Sequence, residues 1–266
     1  MSSWRWWRLG AFRLLRRWRP FALLIALLGI WELYVQLGGA DPLILPPPHQ
    51  IAKAIYTDRS LLWSNFLTTA QEVVLGILVA SAAAILLAIA IHFSSALRQA
   101  LYPLMVASQT IPIPLIAPLL VLWLGFGIAP KLVVIALVSF FPIVVTTFAA
   151  LAAVDPDLLK LMRTFDASRV RTFWHIELPS ALPGVLTGTK IAVVVAVIGA
   201  VFAELAGSSG GLGYLFQQSE AQLLMPRAYA AVVILSLFAI GLFALLSLGE
   251  RLAVPWAHQP RGDGRD

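Results

Sequence analysis

Apolar residues gather along this chain into six stretches, at about residues 21–37, 66–91, 101–123, 132–151, 185–205 and 228–248. A helix that crosses a bilayer needs about 20 mainly apolar residues, so the pattern predicts about six membrane-spanning helices. Three runs carry no formal charge: Gln99 to Pro130, Leu132 to Val154 and Ala228 to Gly249. The first, second and fifth stretches each hold at least one ionisable residue, which leaves their ends less sharply drawn. Two connections are long. One, 38–65, opens with Leu45-Pro46-Pro47-Pro48 and continues into an interfacial helix around Gln50–Tyr56; the other runs from Ala152 to Gly184. Beyond Pro255-Trp256 the chain turns polar, and that tail is expected to be disordered.

Composition excludes the soluble alternative. Of 266 residues, 60% are hydrophobic and 12% charged, against roughly 25% charged in a soluble domain, and the mean hydropathy is +0.87. One globular core cannot hide that surplus. Cysteine is absent, which excludes disulfides and thiolate metal sites. The net charge of +6 does not point to nucleic acid, because six arginines (5, 8, 13, 16, 17 and 19) precede the first apolar stretch as a topology signal. That stretch is too long for a signal-peptide core and has no convincing cleavage site after it. With the N-terminus inside, inner segments carry 14 Lys and Arg and outer segments four (Lys53, Arg59, Lys131, Arg227), with Lys190 inside a span. The bias places both termini in the cytoplasm.

The 152–184 connection is then cytoplasmic. Asp155 is suited to cap a helix, Pro156 to its first position and Asp157 to its dipole. Leu158, Leu161, Met162 and Phe165 follow at i, i+3, i+4 and i+7, one apolar stripe, with Lys160, Arg163 and Thr164 off it. After a break at Asp166-Ala167-Ser168, Ser168 caps a second short helix bearing Val170, Phe173 and Trp174, and Pro179 and Pro183 close the segment before the next span. Such stripes pack under the protein's own bundle, lie in the lipid interface, or enter a groove on a partner; the residues alone do not choose among these.

Asp166, opening Asp166-Ala-Ser-Arg, the nine residues 167–175 and then Ile176-Glu-Leu178-Pro179 resemble the cytoplasmic signature of binding-protein-dependent ABC importer permeases, Glu-Ala-Ala, three residues, Gly, nine residues, Ile-x-Leu-Pro. Lys160, Leu161 and Met162 stand at the Glu-Ala-Ala positions and Asp166 at the glycine that turns the chain. Asp accepts a left-handed backbone better than most residues, so the turn is expected to survive. Leu45-Pro-Pro-Pro, Ile111-Pro112-Ile-Pro114-Leu-Ile-Ala-Pro, Phe141-Pro142, Leu182-Pro-Gly-Val-Leu-Thr-Gly-Thr-Lys190, Ala203-Glu204 and Gly210-Gly-Leu-Gly-Tyr-Leu are similar to the nitrate/sulfonate/taurine-type branch. The likeness covers about residues 21–256.

The resemblance implies an all-α integral membrane protein, a type I (MetI-like) permease bundle, working as a permease homodimer with two cytoplasmic ABC ATPase subunits and an extracytoplasmic solute-binding protein. Its ATPase-coupling residues would be Leu158, Leu161, Met162, Phe165, Asp166, Ala167, Ser168, Ile176, Leu178 and Pro179. ATP and magnesium would be bound by the ATPase, with no cofactor in this chain. The chain itself has no Gly-x4-Gly-Lys-Ser/Thr phosphate loop. The implied layout is a cytoplasmic Arg-rich segment (1–20), a first span with its outer loop (21–64), a permease core (65–250) with the coupling loop 152–184, and a polar tail (251–266). Likeness at Glu72, Met162-Arg-Thr-Phe165 and Pro255-Trp256 favours a thiamine pyrimidine precursor or similar heterocycle as solute, with sulfonate, taurine or nitrate as the alternative.

Ionisable groups inside a span cost about 2.5–3.5 kcal/mol each at mid-bilayer. Lys190 and Glu204 are 14 residues apart, on the order of 21 Å along a helix, and cannot pair with each other. Lys190 is expected to snorkel to the headgroups. Glu204 either lines the outer mouth or braces the glycine-rich turn at 207, 210, 211 and 213. Glu72 is a candidate for the translocation path, and Glu32 is expected at the outer interface. Pro112, Pro114 and Pro118 are expected to kink the third span beside that path. Two other classes fit less well. An ion-coupled secondary transporter predicts inverted repeats, and an intramembrane enzyme predicts clustered catalytic or metal-binding side chains, neither of which the sequence shows.

Overall fold

The computed structural model of the protein describes the backbone from Trp4 to His258 and the side chains of Arg19 and residues 21–256. The tail expected to be disordered lies largely outside these residues. The described residues form helices with no β-strand among them, as the apolar pattern predicts. Two compact units are distinguishable, a smaller one of residues 1–60 with 218–230 and a larger one of 61–217 with 231–266.

In the smaller unit, α1 (Trp4–Gln36) contains the apolar segment Phe21–Gln36 and ends at Gly38, whose φ of +82° suits a residue without Cβ. Pro47 is extended and Pro48 opens α2 (Pro48–Thr57), the helix expected after the triple proline. Glu32 ties the two helices together by accepting from the His49 backbone N–H at 3.1 Å and meeting His49 Nδ1 at 2.6 Å. Arg227 Nε donates to Asp58 Oδ2 at 2.7 Å, and Trp31 packs at a tilt on Tyr229.

The larger unit contains most of α3 (Arg59–Phe93), then α4 (Ser95–Ser108), α5 (Ile113–Leu124), α6 (Ile128–Ala152), α7 (Pro156–Thr164), α8 (Arg169–Thr172) and α9 (Leu178–Gly207). It also takes the start of α10 (Leu212–Ala221) and the greater part of α11 (Met225–Ala253). Four helical runs are long and apolar enough to cross a membrane: Arg59–Phe93, Ile128–Ala152, Arg169–Gly207 and Met225–Ala253. The pair α4 and α5 supplies a fifth if counted as one span. With Phe21–Gln36 these account for the six stretches.

Two expectations change. The third stretch does not kink but breaks, α4 and α5 meeting at 101°. Pro112 sits extended as the N-cap of α5 and Pro114 lies in its first turn, so two backbone donors two residues apart are missing and helix cannot continue through Gln109–Pro112. At the other place helix continues where closure was expected. A π-helical turn at Phe173–Glu177 joins α8 to α9. The wider turn takes up Pro179, which has no N–H to give, and Pro183 lies within α9, so the fifth span begins at the elbow and not after 184.

The bundle is held by small residues at helical spacing. Gly76, Ala80, Ala84 and Ala88 form a buried stripe on α3, and Gly188, Ala192, Ala196 and Ala200 form one on α9. A Cβ on Gly76 would enter Ile135 of α6, and one on Gly188 would meet Ile143 Cα and the Pro142 carbonyl of α6 at 3.1 Å. In a bilayer, where apolar burial does not drive helices together, close backbone approach of this kind supplies the packing. Lys190 does not snorkel. It pairs with Glu250 of α11, both side chains being largely buried, because a counter-charge within reach neutralises it inside the bundle. Lys131, counted in an outer loop, is likewise buried, in the first turn of α6.

Gly188→Leu forces side-chain atoms into α6 backbone and should cost about 1–3 kcal/mol, read as a lower unfolding temperature in detergent. Gly241→Leu, at a position on α11 with open space around it, should leave that temperature unchanged.

Candidate functional site

Three places in the larger unit carry the chemistry. The first is the segment read as the ATPase lever. Asp155 caps α7 by accepting from the Asp157 N–H at 2.8 Å, and Pro156 holds the first position. Asp166 adopts φ +52°, the left-handed turn expected where the family pattern has glycine. Ser168 then caps α8 from Arg171 N–H. α7 has no buried residue. Leu158, Leu161 and Phe165 are exposed by 41%, 51% and 73%, so the stripe does not pack under the chain's own bundle, and Met162 beside it is half-buried. Val170 and Trp174 are exposed as well, whereas Phe173 is buried against Phe93. Ile176, Leu178 and Pro179 do not join the exposed face. They are half-buried in the elbow, where Leu178 packs on Leu151, Phe173 and Ala181.

The second place is the break between α4 and α5. A cleft of about 270 Å³ opens there, with Ser108 and Gln109 as its polar lining and seven aliphatic side chains, among them Ile113, Leu137 and Val195, as its walls. Pro112 and Pro114 are exposed at this break. The carbonyls of Val106, Ala107 and Ser108 accept from the N–H groups of Gln109, Thr110 and Ile111 at 3.1, 3.1 and 3.4 Å, so the last turn before the break tightens into i+3 bonds as the helix ends.

The third is a buried polar lattice at the opposite end of α3 and α9 from the lever. Glu72 and Glu204 are 3% and 1% exposed, so neither lines the cleft. Lys131 Nζ donates to Glu72 Oε1 at 2.5 Å and to Ser208 Oγ at 2.6 Å. Thr69 Oγ1 donates to Glu204 Oε1 at 2.6 Å and accepts from Leu212 N–H at 2.8 Å. Glu204 Oε2 accepts from Gly213 N–H at 2.5 Å and Tyr214 N–H at 3.3 Å, and Asn65 Oδ1 accepts from Gly211 N–H at 2.8 Å. The first turn of α10 thus has its open donors answered by side chains, with a carboxylate where the helix dipole favours one. Gly211 is at φ +110°, and a Cβ on it would enter the Glu204 carboxyl group. Of the two readings of Glu204, the geometry matches the brace of the glycine-rich turn. Lys131, Thr69 and Asn65 meet Ser208, Leu212 and Gly211 of this turn, a set that no local pattern joins; a lysine just inside an apolar run is the available signal.

Removing Lys131 leaves a buried carboxylate without its counter-charge, so Lys131→Met should destabilise by about 3–5 kcal/mol, and Glu72→Leu added to it should restore most of the loss. Thermal unfolding of the two single variants and the double variant checks this coupling.

The family profile described as binding-protein-dependent transport system inner membrane component matches residues 72–257. The chain is similar to the formylaminopyrimidine transport permease protein ThiX of Halalkalibacterium halodurans, 36% identical, covering 89% of this chain and 95% of the relative. It is similar to the riboflavin transport system permease protein RibX of Chloroflexus aurantiacus at 33%, covering 88% of each, and to the taurine transport system permease protein TauC of Escherichia coli at 28%, covering 88% and 87%. The fold is that of a chain in the crystal structure of an amino acid ABC transporter (TM-score 0.59, 14% identity, 76% of this chain and 96% of that one). It is equally that of a chain in the inward facing MetNI methionine ABC transporter (TM-score 0.57, 17% identity, 71% and 94%). The chain belongs to the binding-protein-dependent transport system inner membrane components, as a multi-pass ABC importer permease: a transport subunit, not an enzyme.

Proposed function

We propose that this permease imports a small, uncharged, flat heterocycle of the formylaminopyrimidine kind, delivered by an external binding protein and driven by cytoplasmic ATPase subunits that bind the ATP and Mg²⁺. The observation that carries the docking part is the exposed stripe Leu158, Leu161 and Phe165 on a helix with nothing of its own to bury. An apolar face at i, i+3 and i+7 is what a groove on a partner takes up. Asp166, Ala167 and Ser168 set the angle between α7 and α8, and the elbow at Ile176, Leu178 and Pro179 ties the lever to the span α9. Both termini lie in the cytoplasm, as the Lys and Arg distribution supports, and two copies of the permease surround the path.

For the solute, support comes from the cleft. Among its lining residues none is cationic, so a sulfonate or nitrate entering it would leave a charge unpaired, which is costly away from water. A neutral ring with amino groups finds apolar walls and two polar side chains, Ser108 and Gln109. The relatives named for formylaminopyrimidine and riboflavin, both heterocycles, are more alike in sequence than the one named for taurine. Pro112 and Pro114 belong to the path on this reading, and Glu72 and Glu204 act as braces beside it.

Leu161→Asp puts a charge into the docking face at an exposed position and should reduce the ATPase recovered with the permease at least about tenfold, roughly 1.4 kcal/mol. Unchanged recovery would count against the docking face. In proteoliposomes holding permease, ATPase and binding protein, ATP should drive uptake of labelled formylaminopyrimidine and not of taurine; uptake of taurine alone would transfer the solute assignment to the sulfonate class.

A further inference from the structure

A cavity of about 390 Å³ lies between α7, the start of α8, the end of α3 and the elbow, lined by His92, Leu159, Arg163, Arg169, Thr172 and Glu177 among others. His92 Nε2 and Glu177 Oε2 meet at 2.7 Å, so the one carboxylate in the wall already has a partner. Arg163 and Arg169 have no carboxylate partner among the described residues, in contrast to Lys160, which pairs with Asp157. The Arg169 guanidinium is held 4.9 Å from the centre of the Phe93 ring, which fixes it at the cavity wall. Arg163 and Arg169, on either side of the Asp166 turn, thus line one space whose described walls hold no unpaired anion.

The cavity and the docking face are different faces of α7. Leu159 and Arg163, four residues apart, face the cavity, while Leu158, Leu161 and Phe165 are exposed. At 100° per residue the two faces point about 140° apart around the helix. Whatever covers the stripe does not thereby fill the cavity. His92 and Phe93 end one membrane-length helix, and Arg169 begins another, so the cavity stands where two candidate spans end on the same side. Trp174 and Val170, 60% and 61% exposed beside it, suit a membrane interface, tryptophan above all.

We propose that this cavity binds the phosphate of an anionic phospholipid headgroup, with Arg163 and Arg169 as its ligands. Guanidinium forks match phosphate oxygens in geometry and charge, and basic pockets between membrane helices on the cytoplasmic side take lipid headgroups. A bound phosphate would bridge α7 to α8 across the Asp166 turn and so hold the lever at a fixed angle to the bundle. The headgroup as the source rests on reading this segment as the inner membrane boundary. The test is made on the purified full-length permease without the ATPase, so its failure is distinguishable from failure of the Leu161→Asp test.

Native mass spectrometry of the permease in detergent with equal phosphatidylglycerol and phosphatidylcholine counts the lipid retained. Wild type should keep phosphatidylglycerol in about thirtyfold excess, in line with two basic residues at an anionic surface. R163Q with R169Q should abolish the excess, R163K with R169K should keep part of it, and R171Q, outside the cavity, should keep all of it. No excess in wild type, or equal loss in R171Q, would overturn the proposal. Inorganic phosphate adducts without a lipid excess would assign the site to a free phosphate and overturn the lipid source. Loss of the ATPase from the assembled complex of R163Q with R169Q, at unchanged lipid retention, would assign the cavity to an acidic group of the partner and overturn it as well.

Discussion

Hydrocarbon offers a polar group no partner, so each departure from continuous helix in this chain has to be answered by another part of it. That constraint explains where the irregular backbone lies. The glycine-rich turn between α9 and α10 exposes the first N–H groups of α10, and Asn65, Thr69 and Glu204 accept from them. At the break between α4 and α5 the carbonyls of Val106, Ala107 and Ser108 are answered by i+3 N–H groups, and the break lines a cleft. Buried charge follows the same rule: Lys131 meets Glu72 and Lys190 meets Glu250. Each pair joins two helices, so neutralisation and tertiary contact are one event.

The same helices carry chemistry at both ends. α3 supplies Thr69 and Glu72 to the lattice and His92 to the cavity; α9 ends at Glu204 and Ser208 and is preceded by Glu177 in the elbow. Between those ends the small-residue stripes of α3 and α9 press against α6 closely enough that a single added Cβ meets a neighbour. Close-packed interfaces of this sort pass displacement on with little give. On the proposed docking role, a push on α7 and α8 would reach α9 through a continuous helical elbow, and from there the turn that Glu204 braces. The path from α7 to that turn runs through three helices, α7, α8 and α9.

The bundle was legible because its signals are local and repeated. Long apolar runs gave the spans, and the Asp155-Pro156-Asp157 and Ser168 starts gave the two short helices. Asp166 turned the chain as its side chain permits. What escaped depends on contacts between distant residues. Nothing in the run around Lys131 announces that Glu72, 59 residues earlier, will meet it, and Lys190 reads as a snorkelling residue until Glu250 is brought alongside. The prolines misled in both directions, because their effect is set by what surrounds them. Pro112 and Pro114, two apart, end a helix, while Pro179 is absorbed by a π-helical turn. The stripes Gly76-Ala80-Ala84-Ala88 and Gly188-Ala192-Ala196-Ala200 stand in plain view in the sequence and mark the tightest helix contacts. Ile176, Leu178 and Pro179, grouped with the docking residues by motif, lie in the elbow because a motif records spacing and not exposure.

The central claim is that α7 presents its apolar stripe to the cytoplasm while the Glu204-braced turn lies at the outer surface. The chain has no cysteine, so single cysteines at Leu161 and at exposed Ser209 report sidedness directly with a membrane-impermeant maleimide. L161C should react only in inside-out vesicles and S209C only in intact cells. Labelling of L161C from outside intact cells would place the lever on the wrong side of the membrane and contradict the account.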